Sequence, residues 1–282
     1  MDNLENKHEK LNDIVREMDS LMVAFSGGVD STFLLKVAFD VLGEKALGVT
    51  ATAPTYPKFE LDEALNLARS IGCRHILMKS NELEVPGFSD NSPRRCYFCK
   101  SELFGILINK SKELGVKHVA DGSNCDDLAD YRPGREAAKE LGVRSPLVEA
   151  GMSKEDIRQL SRKLRLPTWD KPAFACLSSR FPYGTKITED RVKRVEVCEA
   201  VLRTLSFTQF RVRYHDEIAR IEVGEADFEK ILSTDVKNLI VNEFKKQGFK
   251  YISLDIEGYR AGSMNEVVTT TTINADRDEP VK

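Results

Sequence analysis

A loop with two consecutive glycines joins an apolar run to an amphipathic run near the start of the chain. LMVAF (21–25) comes directly before Ser26-Gly27-Gly28-Val29-Asp30-Ser31, and STFLLKVAFDVLG (31–43) continues from it. A short apolar, β-rich run is typical of a buried strand, and apolar residues at helical spacing are typical of a helix that packs on a sheet. The segment therefore predicts a strand–loop–helix unit.

The same alternation continues through the first two-thirds of the chain. Further strands are predicted at 46–52, 75–79 and 116–122, and further helices at 3–19, 59–72, 102–115 and 153–166. Strands that alternate with helices form a mainly parallel sheet with helices on both faces. We therefore predict an α/β fold with a doubly wound, mainly parallel sheet, in a first domain over residues 1–170.

The alternation stops at an irregular, proline-containing segment, for which we predict an active-site linker over 171–187. Beyond it we expect a small α+β domain at 188–262, with a helix at 188–205 and a hairpin at 207–223 that turns at His215-Asp216-Glu217. Consecutive residues of a strand point apart, so these three side chains are more typical of a turn than of a metal site. The tail at 263–282 lacks apolar periodicity and is expected to be disordered.

Composition excludes several classes of function. Of the 282 residues, 41% are hydrophobic and 31% charged, as in globular proteins, and the net charge of -3 draws the chain neither to nucleic acid nor to an anionic membrane. No apolar run is long enough to span a bilayer, and the polar N-terminus does not resemble a secretory signal. We therefore expect a cytoplasmic protein whose six cysteines are reduced or bind metal.

The loop at 26–31 has the chemistry of a phosphate site. Glycines let the backbone approach phosphate oxygens, and the N-terminus of the following helix offers backbone N–H groups to an anion. Ser26 and Ser31 can add hydroxyl donors, and Asp30 is placed to hold Mg²⁺. A plain glycine turn is the alternative, and the sequence contains no Walker A motif.

The loop resembles that of the PP-loop ATP pyrophosphatases, which cleave ATP between its α and β phosphates. The resemblance implies that five loop residues bind the β and γ phosphates with Mg²⁺, namely Ser26, Gly27, Gly28, Asp30 and Ser31. It also implies that adenine lies near Thr50–Thr52, with Thr52 as a contact. Gly122, in the run 121–124 at the end of the fourth strand, belongs to the carboxyl edge where ligands bind in such sheets.

Three further stretches narrow the resemblance: DGSNCDDLADYRPG (121–134), ACLSSRFPYGT (175–185) and RVRYHDEIARIE (211–222). With the loop they resemble the LarE family, over roughly residues 10–265. The family implies that ATP adenylylates a carboxylate of pyridinium-3,5-biscarboxylic acid mononucleotide and that sulfur then displaces AMP, once on each carboxylate. The product serves the nickel-pincer nucleotide cofactor of lactate racemase. The family also suggests a homo-oligomer, a hexamer.

A substrate with one phosphate and two carboxylates requires guanidinium groups. The candidates are Arg180, Arg211, Arg213 and Arg260, and Ser179 can add a hydroxyl. Arg211 and Arg213 are two residues apart on a predicted strand and therefore share a face, although a solvated charged face is the alternative. Two acidic residues also match positions of the family. At Glu199 and Glu222 the resemblance implies a contact with metal or substrate.

The source of sulfur depends on the cysteines. Cys96-Tyr97-Phe98-Cys99 can clasp one metal centre, and the resemblance adds Cys176 as the third ligand of a 4Fe-4S cluster that carries sulfide. Alternatively, Cys176 gives up its own sulfur and becomes dehydroalanine, or the CxxC pair binds zinc, forms a redox dithiol or binds nothing. Cys73, Cys125 and Cys198 are expected to be ordinary packed residues.

Other functions remain open. A tRNA 2-thiolation enzyme shares the loop, the cysteines and the chemistry, but it should also carry RNA-binding modules and a basic surface. A nucleotide-sensing protein without catalysis is a second alternative. The expected partners are a small-molecule nucleotide and a sulfide source, with no membrane and no nucleic acid. Trp169 is expected to be a packing anchor, with a stacking platform as the alternative.

Overall fold

A computed structural model of the chain describes residues 3–128, 133–172, 175–260 and 262–265. The chain forms two units, the first from residues 1–88 and 94–175, and the second from residues 89–93 and 176–282. The second unit begins inside the predicted linker at 171–187 and also takes in a short segment from before α4. Most of the predicted tail, residues 266–282, lies outside the described residues.

The first unit is built on a four-stranded sheet in the order β3-β2-β1-β4. Its strands are β1 (Leu21–Ala24), β2 (Ala46–Thr52), β3 (Arg74–Lys79) and β4 (His118–Ala120). Every pairing is parallel, with Leu21 opposite both Ala46 and His118. The prediction of a mainly parallel α/β sheet is confirmed.

Helices pack on both faces of this sheet. They are α1 (Asn3–Glu17), α2 (Val29–Leu42), α3 (Lys58–Ile71), α4 (Arg95–Leu114), α5 (Gly134–Glu140), α6 (Pro146–Glu149) and α7 (Lys154–Lys163). Leu21 and Val23 of β1 join the apolar cluster of α2, whereas Met22 joins that of α4. Alternate strand residues point to opposite faces, so a run that is apolar throughout is buried on both. Each fully buried large apolar side chain stabilises the folded state by roughly 1.5–3 kcal/mol relative to an exposed one.

Two helix boundaries illustrate local signals, and one does not. Gly72 ends α3 in the left-handed region at φ 81°, and Ser153 with Asp156 forms a reciprocal capping box before α7. Helix α4 begins at Arg95, seven residues before the predicted start. No capping signal marks that start, and tertiary packing holds it: a Cβ on Gly87 would come within 2.7 Å of the Phe98 ring.

The second unit contains a three-stranded sheet in the order β5-β6-β7, antiparallel and then parallel. Its elements are α8 (Glu189–Thr204), β5 (Phe210–His215), β6 (Ile218–Val223), α9 (Phe228–Leu232), α10 (Thr234–Lys246) and β7 (Tyr251–Leu254). The chain turns at Asp216, whose φ is 51°, directly after His215 ends β5. The predicted hairpin and its turn are therefore confirmed. Asn91 holds the segment 89–93 to this unit, because its Nδ2 donates to the carbonyls of Phe181 and Pro182. None of the helices described is long and apolar enough to cross a bilayer.

Candidate active site

The glycine loop between β1 and α2 has a backbone that only glycine adopts readily. Gly27 has φ +67°, and a Cβ there would lie 3.0 Å from the Cβ of Ala64. Gly28 is extended and forms the N-cap of α2 without a side-chain cap. The first N–H groups of α2 therefore stay available to an anion, as the loop's phosphate chemistry requires.

The two serines of the loop are connected to each other. Ser26 Oγ lies 3.1 Å from Ser31 Oγ, the Ser26 N–H donates to Ser31 Oγ at 3.2 Å, and Ser31 Oγ donates to the Gly28 carbonyl at 3.3 Å. These bonds close the loop on itself and hold both hydroxyls beside the start of α2. The arrangement fits the predicted phosphate contacts, which remain predictions.

Two side chains bind the carbonyls of the loop. Tyr56 Oη donates to the Ser26 carbonyl at 2.8 Å, and Lys171 Nζ donates to the Gly27 carbonyl at 3.3 Å. Lys171 also bonds Glu60 and Glu63, each at 2.7 Å. Burial lowers the pKa of Lys171, but the two carboxylates outweigh it and hold that pKa above its ordinary value. No local pattern in the sequence marks Tyr56 or Lys171 as a neighbour of the loop.

Asp30, in the first turn of α2, is held by two residues distant in sequence. Lys154 Nζ lies 2.6 Å from its Oδ2, and Asn124 Nδ2 lies 3.4 Å from its Oδ1. Mg²⁺ prefers oxygen ligands and is held in nucleotide sites by one or two carboxylates together with phosphates. The Asp30 carboxylate and its position beside the loop fit that requirement, and its metal role stays a prediction. Lys154 was not anticipated from the sequence.

The segment after β4 packs against the start of α2. A Cβ on Gly122 would come within 2.9 Å of the backbone nitrogen of Ser31, so glycine permits this close approach. Asp121 accepts hydrogen bonds from the hydroxyls of Ser123 at 2.7 Å and Ser145 at 2.8 Å. The segment is thus a neighbour of the phosphate loop at the carboxyl edge.

The threonine hydroxyls expected near adenine donate hydrogen bonds to backbone carbonyls of neighbouring segments. Thr50 Oγ1 donates to the Phe25 carbonyl at 2.6 Å, and Thr52 Oγ1 donates to the Met78 carbonyl at 3.3 Å. Both lie at the carboxyl end of β2. Contact between Thr52 and adenine remains a prediction.

In the second unit, Arg180 is fully buried and forms a two-pronged ion pair. Its Nε and Nη2 donate to the two carboxylate oxygens of Glu199 at 2.8 and 2.9 Å, and its Nη1 donates to Ser179 Oγ at 2.9 Å. Glu199 also accepts the backbone N–H of Val212 at 3.1 Å. Arg180 and Glu199 therefore bind each other, whatever either does with substrate.

Arg213 forms a second pair of the same kind. Its Nε and Nη2 donate to Glu222 at 2.9 and 2.7 Å, and its Nη1 donates to the Ser179 carbonyl at 3.0 Å. The alternative of a solvated strand face is wrong at this position, because Arg213 is 4% exposed. Arg180 and Arg213 thus contact Ser179 from two directions. Binding of substrate anions by these residues remains a prediction.

Arg211 and Arg260 have different surroundings. Arg211 lies over the ring of Tyr259, with 4.9 Å from Cζ to the ring centroid. Burial lowers its pKa, and the nearby charge of Arg180 adds to the effect. Arg260 Nη2 pairs with Glu257 at 2.7 Å on the surface. Arg211 is the more buried of the two.

The cysteines differ in exposure. Cys96 is exposed and Cys99 half-buried, three residues apart at the start of α4, so they share one side of the helix. Cys176, half-buried, lies in the second unit with its Sγ 2.7 Å from Ser178 Oγ. Among the side chains that the structure describes, no three His, Cys, Asp or Glu residues form a ligand set. The three-cysteine site stays a prediction.

The other cysteines have the burial of packed residues. Cys73 and Cys198 are buried, and burial raises their pKa values to about 11 and about 12, while Cys125 is half-buried. Trp169 packs under the guanidinium of Arg162, 4.9 Å from Cζ to the ring centroid. Trp169 is 37% exposed, so this is a partly exposed cation–π contact, and its role as a packing anchor stays a prediction.

No protein-family model matches the chain. Among known proteins, it is 47% identical over 266 residues to an uncharacterized protein of Synechocystis sp., across 94% of this chain and 99% of that protein. It is 38% identical over 271 residues to pyridinium-3,5-bisthiocarboxylic acid mononucleotide synthase of Lactiplantibacillus plantarum, across 95% of this chain and 97% of that enzyme. A shorter match, 32% over 130 residues, joins it to the tRNA-specific 2-thiouridylase MnmA of Halothermothrix orenii, across 37% of this chain and 35% of that enzyme. Because the match to the synthase spans nearly all of both chains, this chain belongs to the LarE family of ATP-dependent PP-loop sulfurtransferases.

Proposed function

We propose that this enzyme adenylylates the carboxylates of pyridinium-3,5-biscarboxylic acid mononucleotide and converts them to thiocarboxylates for the nickel-pincer nucleotide cofactor of lactate racemase. The observation that carries the proposal is the similarity to the named synthase over 95% of the chain. The glycine loop before α2 and the acidic residue in its first turn support the use of ATP. A hexamer remains part of this proposal by family resemblance.

The chemistry has two steps. A carboxylate oxygen of the substrate attacks the α-phosphorus of ATP, the bond to the bridging oxygen breaks, and pyrophosphate leaves. A sulfur nucleophile then attacks the carbonyl carbon of the acyl adenylate, the C–O bond breaks, and AMP leaves. The first step is needed because a free carboxylate has no leaving group other than oxide. Pyrophosphate is released into a site whose backbone N–H groups and Mg²⁺ at Asp30 would stabilise its charge.

The second unit offers a candidate site for the substrate anions. Arg180 and Arg213 hold Ser179 from both sides through its hydroxyl and its carbonyl. We propose that Ser179 Oγ and the guanidinium of Arg211 contact the substrate phosphate or carboxylates, while Glu199 and Glu222 keep the other two arginines in place. Bidentate pairing orients a guanidinium more strictly than a single bond does.

For the sulfur source, we propose a 4Fe-4S cluster held by Cys96, Cys99 and Cys176. Two thiols one turn apart at a helix N-terminus fit such a group, because the helix dipole stabilises the thiolate form that binds metal. When bound through three cysteines, the cluster would supply a soft sulfide at its fourth iron. In the alternative, the Cys176 thiolate attacks the acyl adenylate and displaces AMP. A base then removes the Cα proton as the Cβ–Sγ bond breaks, which leaves the thiocarboxylate on the substrate and dehydroalanine at position 176.

The test is turnover with defined components under strict anaerobiosis. Purified enzyme is assayed for iron and acid-labile sulfide and by visible spectrum, and then incubated with ATP, Mg²⁺, sulfide and the dicarboxylate nucleotide. We expect pyrophosphate release that depends on the nucleotide, several sulfurs transferred per chain, and an unchanged polypeptide mass. Stoichiometric dehydroalanine at position 176 would rule out the cluster. Pyrophosphate release driven by tRNA in place of the nucleotide would instead support a 2-thiolation enzyme, to which the MnmA match lends weight over only 37% of this chain.

A further inference from the structure

We infer that Lys154 binds the β and γ phosphates of ATP and the departing pyrophosphate, exchanging its contact with Asp30 for a phosphate oxygen when Mg²⁺ arrives with the nucleotide. The inference rests on the proposed function and adds a binding residue to its first step. It starts from one contact: Lys154 Nζ lies 2.6 Å from Asp30 Oδ2, in the first turn of the helix that follows the phosphate loop.

The backbone of Lys154 is held in place by its own helix. Lys154 is the first residue of α7 and lies between Ser153 and Asp156, which form the capping box of that helix. Its backbone N–H donates to Asp126 Oδ2 at 2.9 Å. The flexible four-carbon stem is therefore attached to a fixed base, and the ammonium can move between neighbouring anions while its Cα stays where it is.

Charge balance favours the exchange. A metal on Asp30 would compete with the ammonium of Lys154 for the same carboxylate and would repel it. Pyrophosphate brings several negative charges to the same place, and a lysine ammonium is a common point-charge ligand for phosphate. Moving Nζ from the Asp30 carboxylate to a phosphate oxygen relieves both conflicts. Without nucleotide, the same ammonium balances the charge of Asp30.

A purely structural ion pair is the competing explanation. Both side chains are partly exposed, 30% for Lys154 and 23% for Asp30, and pairs of this kind contribute little to stability. The same helix carries a matched control: Lys7 Nζ pairs with Asp156 Oδ2 at the same 2.6 Å, with side-chain exposures of 26% and 19%. Lys7 is on α1 and has no part in the proposed phosphate site.

The experiment measures the binding of magnesium pyrophosphate and of AMP by titration calorimetry. Lys154→Met should weaken pyrophosphate binding roughly 10- to 100-fold, the range for loss of a charge-assisted hydrogen bond. AMP lacks the β and γ phosphates, so its affinity should not change, and unchanged AMP binding also shows that the variant is folded. Lys7→Met should leave both affinities unchanged, and Lys154→Arg should recover part of the loss.

A second background separates direct contact from an effect through Asp30. Pyrophosphate binding is measured in the absence of Mg²⁺ for two proteins, the single variant Asp30→Asn and the double variant that also carries Lys154→Met. We expect the lysine variant to weaken binding there as well. Equal pyrophosphate affinity with and without Lys154, in either background, overturns the inference. Failure of the proposed function would look different, because the wild-type enzyme would then form no AMP from ATP and the dicarboxylate nucleotide, whatever Lys154 does.

Discussion

Glu199→Ala tests whether the buried ion pair of the second unit is structural. The substitution removes both carboxylate oxygens that Arg180 binds at 2.8 and 2.9 Å, and the acceptor of the Val212 N–H at 3.1 Å. The side chain of Arg180 is 0% exposed and that of Glu199 is 3% exposed, so water cannot readily replace the lost bonds. Removing one partner of a buried pair typically costs about 3–5 kcal/mol, because the other charge stays desolvated.

The assay is urea unfolding followed by far-ultraviolet circular dichroism, which reports the helices of both units. The free energy of unfolding should fall by about 3–5 kcal/mol relative to the wild type. Glu257→Ala is the matched control, because Glu257 pairs with Arg260 at 2.7 Å with exposures of 65% and 42%. An exposed pair is worth about 0–1 kcal/mol. If both variants lose less than about 1 kcal/mol, Arg180 is not a structural residue and this reasoning is refuted.

Three further predictions concern the loop, the thiols and acid stability. Gly27→Ala should weaken magnesium pyrophosphate binding at least tenfold. Gly43→Ala is the control, because Gly43 also has a positive φ, +57°, but has nothing within 4 Å of the new Cβ, so this variant should lower only the free energy of unfolding. Equal pyrophosphate affinity in both variants would contradict the prediction. In a timed alkylation followed by mass spectrometry at pH 8, Cys96 should react well before Cys198, because burial raises the pKa of Cys198 to about 12; simultaneous labelling would argue against it. The hydrogen bond from Arg144 lowers the pKa of Glu149 below 4.5, so the stabilisation from this pair is present above pH 4.5 and is lost as the pH falls through the lowered value. The difference in the free energy of unfolding between wild type and Glu149→Gln should therefore become smaller on acidification. A difference that does not depend on pH would refute the assignment.

Several features were predictable because the signals are local. The capping box at Ser153 and the left-handed glycine at Gly72 are patterns of neighbouring residues, and the structure has both. The hairpin was predictable because period-two alternation runs on both sides of His215-Asp216-Glu217, and the chain turns at Asp216. The start of α4 was predicted seven residues too late, because packing of Phe98 against the Gly87 backbone holds that end, and no neighbouring residue signals it.

The candidate site also contains residues that a local sequence pattern marks and contacts that only the tertiary structure shows. The residues of the loop at 26–31 could be named from sequence because a strand, two glycines and a helix are a local pattern that is typical of a phosphate site. Arg180 and Arg213 were named only as candidate contacts of the substrate, a role that stays a prediction, and their pairing with Glu199 and Glu222 was not predicted. The bond between Arg213 and Glu222 depends on the antiparallel register of β5 and β6, and alternation alone does not determine a register.

The amino-acid sequence alone determined the parallel α/β architecture, the phosphate loop and the family resemblance, because hydrophobic period and motif spacing are properties of short segments. Only the tertiary structure placed Lys154 on Asp30, 124 residues away, and Lys171 on the Gly27 carbonyl, 144 residues away. Lysines are frequent on any surface, so nothing in their neighbours distinguishes these two. Their roles arise because folding brings them beside one loop, where the charges and carbonyls of that loop require a cation or a donor.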